Sequence, residues 1–525
     1  MQKQKAEVNG SSSSVPLGET KAKIVRTTLD SLPVGTGDLP IDREKKLRHA
    51  EIPDGVTRRM LYGDVVRIAW PSFLELVLTQ LTSMADQIMV GQLPGTVGVL
   101  ALSAVGLSAQ PKFLLMTMMQ ALNVGATAMV ARFRGQGNRE KANVVFRQSL
   151  LLNAILAMLF MIIGLVFAAP MIRFMGGSGI SEETFGYAVE YFQIQMYGFV
   201  PLCISFTVTA VLRGIGDTKT PLIYNTISNL VNLLFNYLLI YGKFGFPELQ
   251  VAGASIATII GQTVAFFIAI IFVMNKKRYI YLSFREKFKV DLVILGNVIS
   301  IGIPSMVEQL FMRAGVIIYT RTVAGLGDVS YATHQICMNI QAMSFMTGQA
   351  FSNSATTLMG QSLGKRRIDM AEIYMRHTRR IGLIVSLFLG AALIFFGRDV
   401  VWLYNQTEEI VLLGGNILIM VGCIQPFQSS QFIVSGGLRG AGDTKYPAAV
   451  MFITVLIVRS GLALLLVNVF QLGLWGAWYA LVADQLLRTL LIVLHYRTGK
   501  WRFIKIRGQE PEKIAKQTES VKNPE

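Results

Sequence analysis

Cysteine and histidine are scarce in this chain: three Cys and four His stand among 525 residues. Cys203, Cys337 and Cys423 each fall inside an apolar run without paired or metal-type spacing, which excludes a disulfide framework and leaves them as small core residues. His49, His334, His377 and His495 are too scattered for a metal cluster, and no nucleophile stands at a workable spacing from a base, so neither a cofactor nor enzyme chemistry is expected. Charge is short as well, at 15% of residues against 52% hydrophobic. Soluble domains carry about 25% charged residues, so the usual solvated surface is missing.

What is present is a set of twelve apolar runs, near 62–90, 102–130, 146–169, 187–212, 221–243, 251–274, 293–321, 331–360, 379–397, 411–437, 447–469 and 476–496. Runs of about 20 apolar residues cross ~30 Å of hydrocarbon as helix, which predicts an all-α polytopic membrane protein in contact with lipid. The net charge of +17 does not indicate nucleic acid, because the basic residues alternate between loops. Arg132, Arg134, Arg139, Lys141 and Arg147 follow the second run, Lys276 to Lys289 the sixth, and Lys365 to Arg380 the eighth, whereas "GQLPGTVG" and "FQLGLWG" carry no Lys or Arg. By the positive-inside rule, the even-numbered loops and both termini are expected in the cytoplasm, with the protein multi-pass in the plasma membrane. Residues 1–60 are polar, contain "SSSS", and read as a disordered tail rather than a cleavable signal.

"LRGIGDTKTP" at 212–221 returns as "LRGAGDTKYP" at 438–447, identical at eight of ten positions, and "PSFLE" at 71–75 returns as "PSMVE" at 304–308. The membrane region is therefore two copies of a six-helix unit, 61–274 and 291–497, joined by a linker at 275–290 and followed by a tail at 498–525. Six is even, so the copies are parallel repeats, as in transporters that rock about a central site. A phosphate-binding role for "GIGDTKT" is disfavoured, since the stretch follows a membrane helix and lacks Walker A spacing. It reads as a helix–turn–helix, with Gly214 ending one helix, Asp217 or Thr218 capping the next, and Pro221 in its first turn.

An ionisable group deep in a bilayer costs at least ~2.5–3.5 kcal/mol, so each is a functional candidate. Glu75, Thr79, Thr82, Ser83 and Asp86 share one face of the first span, and Asn225, Asn229, Asn232 and Asn236 share one face of the fifth. Interhelical hydrogen bonding is one reading of the Asn stripe. The other is a cation site in which Asp86, Asn232 and Asn236 hold a proton or coordinate sodium, with Glu75 and Asn229 lining the adjoining cavity. Glu308, the mate of Glu75, has two readings: a binder of a cationic substrate or second proton, and a partner of Arg313. Asp484 and Arg488 stand at i, i+4, for which a salt bridge is the default. Lys112 could neutralise an acid of the first span, and Arg459 could cap a carbonyl or face the cavity. The second copy does not repeat the site: Asn232 and Asn236 correspond to Val458 and Leu462, and Asp86 to Tyr319.

The paired "LRGxGDTKxP" turns, "ADQIMVG", "NLLFNYLLIYGKFG", "ATHQI" and "RTGKW" resemble the multidrug and toxic compound extrusion transporters over residues 60–503. The resemblance implies two six-helix lobes in a V that export organic cations and other amphipathic compounds in exchange for protons or sodium. It places the family's first-helix Asp on Asp86, its fifth-helix polar positions on Asn232 and Asn236, and a sixth-helix Thr on Thr258. One branch has a seventh-helix Glu where this chain has Met312, and an Asp in helix ten that "VGCIQPFQSSQFIVSGG" lacks, which favours protons here. The expected partners are small organic cations, with no nucleic acid and a monomer as the working unit. Rival readings are a flippase for lipid-linked saccharides, which should want a cationic cavity, and an exporter of a single natural metabolite.

Overall fold

A computed structural model describes residues 27–35, 50–94, 97–176, 181–283 and 290–504. Twelve helical segments dominate them. The first lobe holds α1 (Arg58–Gly91), α2 (Val97–Gly135), α3 (Arg139–Val166), α4 in two pieces (Glu182–Tyr197 and Phe199–Gly214), α5 (Lys219–Ile240) and α6 (Gln250–Met274). The second holds α7 (Leu292–Ala324), α8 (Asp328–Gly364), α9 (Ile368–Tyr404), α10 (Glu408–Gly440), α11 (Lys445–Val469) and α12 (Gly473–Arg497). Among the described residues, eight of these are long and apolar enough to cross a membrane alone, and the two pieces of α4 make a ninth. The others are α1, α5 and α8, in which polar side chains dilute the apolar surface. Phe388, Phe395 and Leu403 of α9 are exposed, as suits a surface facing lipid rather than water.

Local chemistry sets the helix ends. Asn138 caps α3 by accepting from Lys141 N at 2.9 Å, and Asp291 caps α7 by accepting from Val293 N and Ile294 N. The run at 187–212 is not one straight helix. It bends by 51° at Gly198, because Pro201 has no N–H and its ring crowds the carbonyl of Tyr197, the last residue of the first piece. In the repeated turn, the left-handed residue is Gly216 (φ +87°) and its copy Gly442 (φ +86°), not Gly214. Asp217 N and Gly216 N return to the Leu212 and Arg213 carbonyls at 2.9 Å, a Schellman closure, and Asp217 Oδ1 caps α5 through Thr220 N.

The lobes meet at the end that carries the basic loops. A β-carbon on Gly135 of α2 would collide with the Gln361 carbonyl of α8, and one on Gly364 of α8 with the Arg132 carbonyl of α2. These are mutual repeat mates, so the pseudo-twofold axis passes between them. The same two helices reach the opposite turns: Gln361 Nε2 donates to the Gly214 carbonyl (2.9 Å), and Arg132 Nη2 to the Ala441 carbonyl (2.6 Å). Helix-end carbonyls lack intrahelical partners, so each lobe satisfies the ends of the other. Ser354 to Val65, Thr357 to Arg213 and Tyr374 to Asp64 add further bonds, and every described hydrogen bond between the lobes lies at this end.

The disorder expected across residues 1–60 does not hold for residues 27–35, nor for 50–60, where Ala50, Ile52 and Val56 pack on the core and α1 begins at Arg58. Leu29 is buried in the apolar cluster that holds residues of α1, α8, α9 and α10. Asp30 pairs with Arg134 at 2.9 Å, and the Leu29 carbonyl accepts from Lys365 Nζ. The segment thus spans the basic ends of both lobes, held by an apolar side chain and the surrounding cations. Residues 1–26 and 36–49 of that tail, 284–289 of the linker and 505–525 lie outside the described residues.

Candidate cation-coupling site

α1 and α5 lie side by side in the same direction with a constant register. Asn225 Nδ2 donates to Glu75 Oε1 at 2.6 Å, and 11 residues further along both helices Asn236 Nδ2 donates to Asp86 Oδ1. At 1.5 Å per residue the two contacts are about 16 Å apart, so the single polar stripe of the sequence divides into two sites.

At the first, Glu75 Oε2 also accepts from Arg213 Nη2 at 2.9 Å. Arg213 belongs to the repeated turn, and its mate Arg439 makes the equivalent bond to Glu308. Both acids are therefore clasped by the Arg of their own lobe's turn, and Glu308 does not pair with Arg313. The Arg313 guanidinium instead lies 3.8 Å from the ring centre of Phe113 on α2, across the seam between the lobes. Thr79 and Thr82 donate to carbonyls of their own helix. Asn229, between the two sites, has an unpartnered Nδ2.

At the second, Asp86 is half-buried among Asn232, Asn236 and Thr258. With its amide nitrogen toward the carboxylate, Asn232 donates to Asp86 Oδ1 at 2.9 Å and accepts from Thr258 N at 3.2 Å. Thr258 Oγ1 donates to the Ala254 carbonyl, fixing its rotamer. Ser228 donates to the Gly261 carbonyl at 2.7 Å and locks α5 onto α6 beside the cluster. Lys112 of α2 is within electrostatic range of Asp86, but its ammonium donates to Gln195 Oε1. Asp86 has amide donors and no described ion pair, whereas Glu75, Glu308 and Asp484 each hold an arginine. Among the described residues, no group of three His, Cys, Asp or Glu converges as a metal site.

This arrangement of paired lobes, repeated turns and an amide-held carboxylate on the first helix can be set beside known proteins. A family model described as MatE matches residues 71–238 and 304–465, one segment in each lobe. The chain belongs to the MatE family. It is 29% identical over 447 residues to the "Probable multidrug resistance protein NorM" of Thermotoga maritima, covering 83% of this chain and 92% of that one. It is 27% identical over 437 residues to the multidrug resistance protein MdtK of Yersinia pestis, covering 81% and 93%. An outward-facing structure of a multidrug resistance MATE family transporter of the MOP superfamily superposes with a TM-score of 0.77 at 22% identity, covering 85% of this chain and 97% of that one. A MOP superfamily transporter from Pyrococcus furiosus gives the same values. MatE proteins are secondary transporters of small organic compounds, not enzymes, and this chain is one of them, with the two-lobed, six-plus-six helical fold of the family.

Sequence reasoning did not find the partners of the two glutamates. The signal was available, since Arg213 and Arg439 repeat as faithfully as Glu75 and Glu308 do, but the pairs are separated by 138 and 131 residues. Gln195, on the broken span, also went unnoticed because an amide in an apolar run carries no charge to mark it.

Proposed function

We propose that the chain exports amphipathic organic compounds, organic cations among them, in exchange for protons, with Asp86 as the coupling carboxylate and Asn232, Asn236 and Thr258 as its cradle. The observation that carries this is that, of the acids Glu75, Asp86, Glu308 and Asp484, Asp86 alone has no arginine bound among the described residues. A carboxylate already neutralised by a guanidinium has little to gain from a proton or an ammonium; one held by neutral amides can exchange either. Asn236 donates to Asp86, and Asn232 does so with its nitrogen toward the carboxylate; sodium would require both amides to turn their oxygens to it. The basic loops would face the cytoplasm, so lobes joined at that end correspond to a cavity open to the outside. One chain carries both lobes and the site, so the proposed working unit is a monomer in the plasma membrane.

The test is export of a fluorescent organic cation from proteoliposomes under an imposed proton or sodium gradient. A proton gradient should drive wild-type export, and Asp86→Asn should abolish the gradient dependence. Full gradient-driven export by Asp86→Asn would overturn the assignment, and drive by sodium alone would replace the proton.

A further inference from the structure

The second lobe has lost the acid and the amides, and other groups stand in their place. Tyr319, the mate of Asp86, is fully buried on α7, and the guanidinium of Arg459, on α11 next to the mate of Asn232, lies 4.2 Å from its ring centre. His334 of α8 packs edge-on against Tyr319, and Trp478 of α12 against His334. α11 is wound as π-helix from Phe452 to Arg459, a local expansion frequent at functional sites.

Arg459 is only 6% exposed, and both its Nε and Nη2 lack a hydrogen-bond partner. Trp478 Nε1, His334 Nδ1 and Thr454 Oγ1, all buried, are likewise unpartnered. Among the described residues, no carboxylate pairs with the Arg459 guanidinium. Both oxygens of Asp484 hold Arg488, and Glu308 holds Arg439. A buried cation without a counter-charge is among the most costly arrangements a fold can contain, and stacking on Tyr319 offsets only part of that cost. Indole N–H and guanidinium N–H groups can only donate, so the missing partner is an acceptor with negative charge.

We propose that this cluster is an anion site: Arg459, beside the Tyr319–His334–Trp478 stack and about one π-helical turn from Thr454, takes a compact monovalent anion, either a halide or the carboxylate of a small organic acid. The site lies in the lobe opposite Asp86 and does not depend on the antiport reading. The full chain is purified into nanodiscs, and its thermal midpoint is followed in chloride, acetate or gluconate at equal ionic strength, alongside equilibrium binding of radiolabelled chloride. Wild type should gain several degrees in at least one of chloride and acetate over gluconate. Displacement of bound chloride by acetate at comparable concentrations identifies a carboxylate-accepting site, and failure of acetate to displace it identifies a halide site.

Arg459→Met, which replaces the buried cation by an apolar chain, should lose the anion-dependent shift and weaken binding at least ~10-fold. Trp478→Phe keeps the packing and removes one donor, so it should weaken binding by a smaller factor, and it serves if Arg459→Met does not fold. Asp86→Asn should bind the anion as wild type does, which separates failure of this proposal from failure of the coupling assignment. Identical midpoints for wild type in all three salts, or unchanged binding in the Arg459 and Trp478 variants, would overturn it.

Discussion

Truncating Glu308 tests whether the two intramembrane glutamates line the substrate cavity or hold the turns in place. The Glu308 side chain is 1% exposed and bonded to Arg439, whose side chain is 13% exposed. Glu308→Ala therefore strands a guanidinium inside the lobe, and breaking a buried pair from one side costs about 3–5 kcal/mol. At Glu75 the same change should cost less, about 1–3 kcal/mol, because Arg213 is 21% exposed and can turn to water. Replacing both members by Met at 308 and 439 removes the stranded charge along with the pair, so the double variant should be more stable than Glu308→Ala. Reversible SDS unfolding in bicelles of wild type, Glu308→Met, Arg439→Met and the double variant gives the four corners of the cycle, and a coupling of at least ~1 kcal/mol is expected. Additive effects would refute the clasp. So would a Glu308→Ala protein of wild-type stability that no longer binds substrate, which would return Glu308 to the cavity.

The reciprocal glycine contacts make a second expectation. Gly135→Ala or Gly364→Ala forces α2 and α8 apart at the basic end, so either should raise the reactivity of cysteines placed at that seam and cost about 1–3 kcal/mol; unreactive cysteines would show that the contact is not the closure. Gln361→Leu removes the bond to the Gly214 carbonyl while keeping side-chain size, and should shift the same labelling in the same direction, with no change if the bond is incidental. Leu29→Asp puts a charge where an apolar side chain is buried, so the 27–35 segment should leave both lobes and become sensitive to protease; resistance equal to wild type would mean that Asp30 and Lys365 hold it alone.

Much of the fold was legible because membrane helices are specified by length and polarity, and because two copies give an internal ruler. Helix number and the parallel repeat follow from run length and internal repetition, periodicity puts Asp86 on one polar face and Asn232 and Asn236 on another, and the family resemblance brings the two faces together. The bend in α4 was less visible, since a proline in an apolar run can be absorbed, as Pro71 and Pro304 are within α1 and α7. The division of the α1 stripe was invisible for a different reason. Helical phase puts Glu75 and Asp86 on one face, but only tertiary pairing decides that one meets Arg213 and the other meets amides. The folded 27–35 segment was hidden by its polar neighbours, because Leu29, Leu32 and two buried threonines are too few to mark an apolar run.

The repeated turn and the interior of the lobes evolved under different constraints, and the structure gives the physical reason. Each "LRGxGDTK" turn presents carbonyls to the opposite lobe and an Arg to its own, so it touches both partners of a pseudo-twofold closure. A change in one copy would unbalance bonds that the other copy mirrors. The interior sites touch only their own lobe. They are free to diverge, and the first holds a carboxylate among neutral amides. The second carries a guanidinium on an aromatic stack, a balance that its own side chains leave one negative charge short. Opposite charges in the two halves of one transporter follow from a duplication in which the gate had to stay symmetric and the interiors did not.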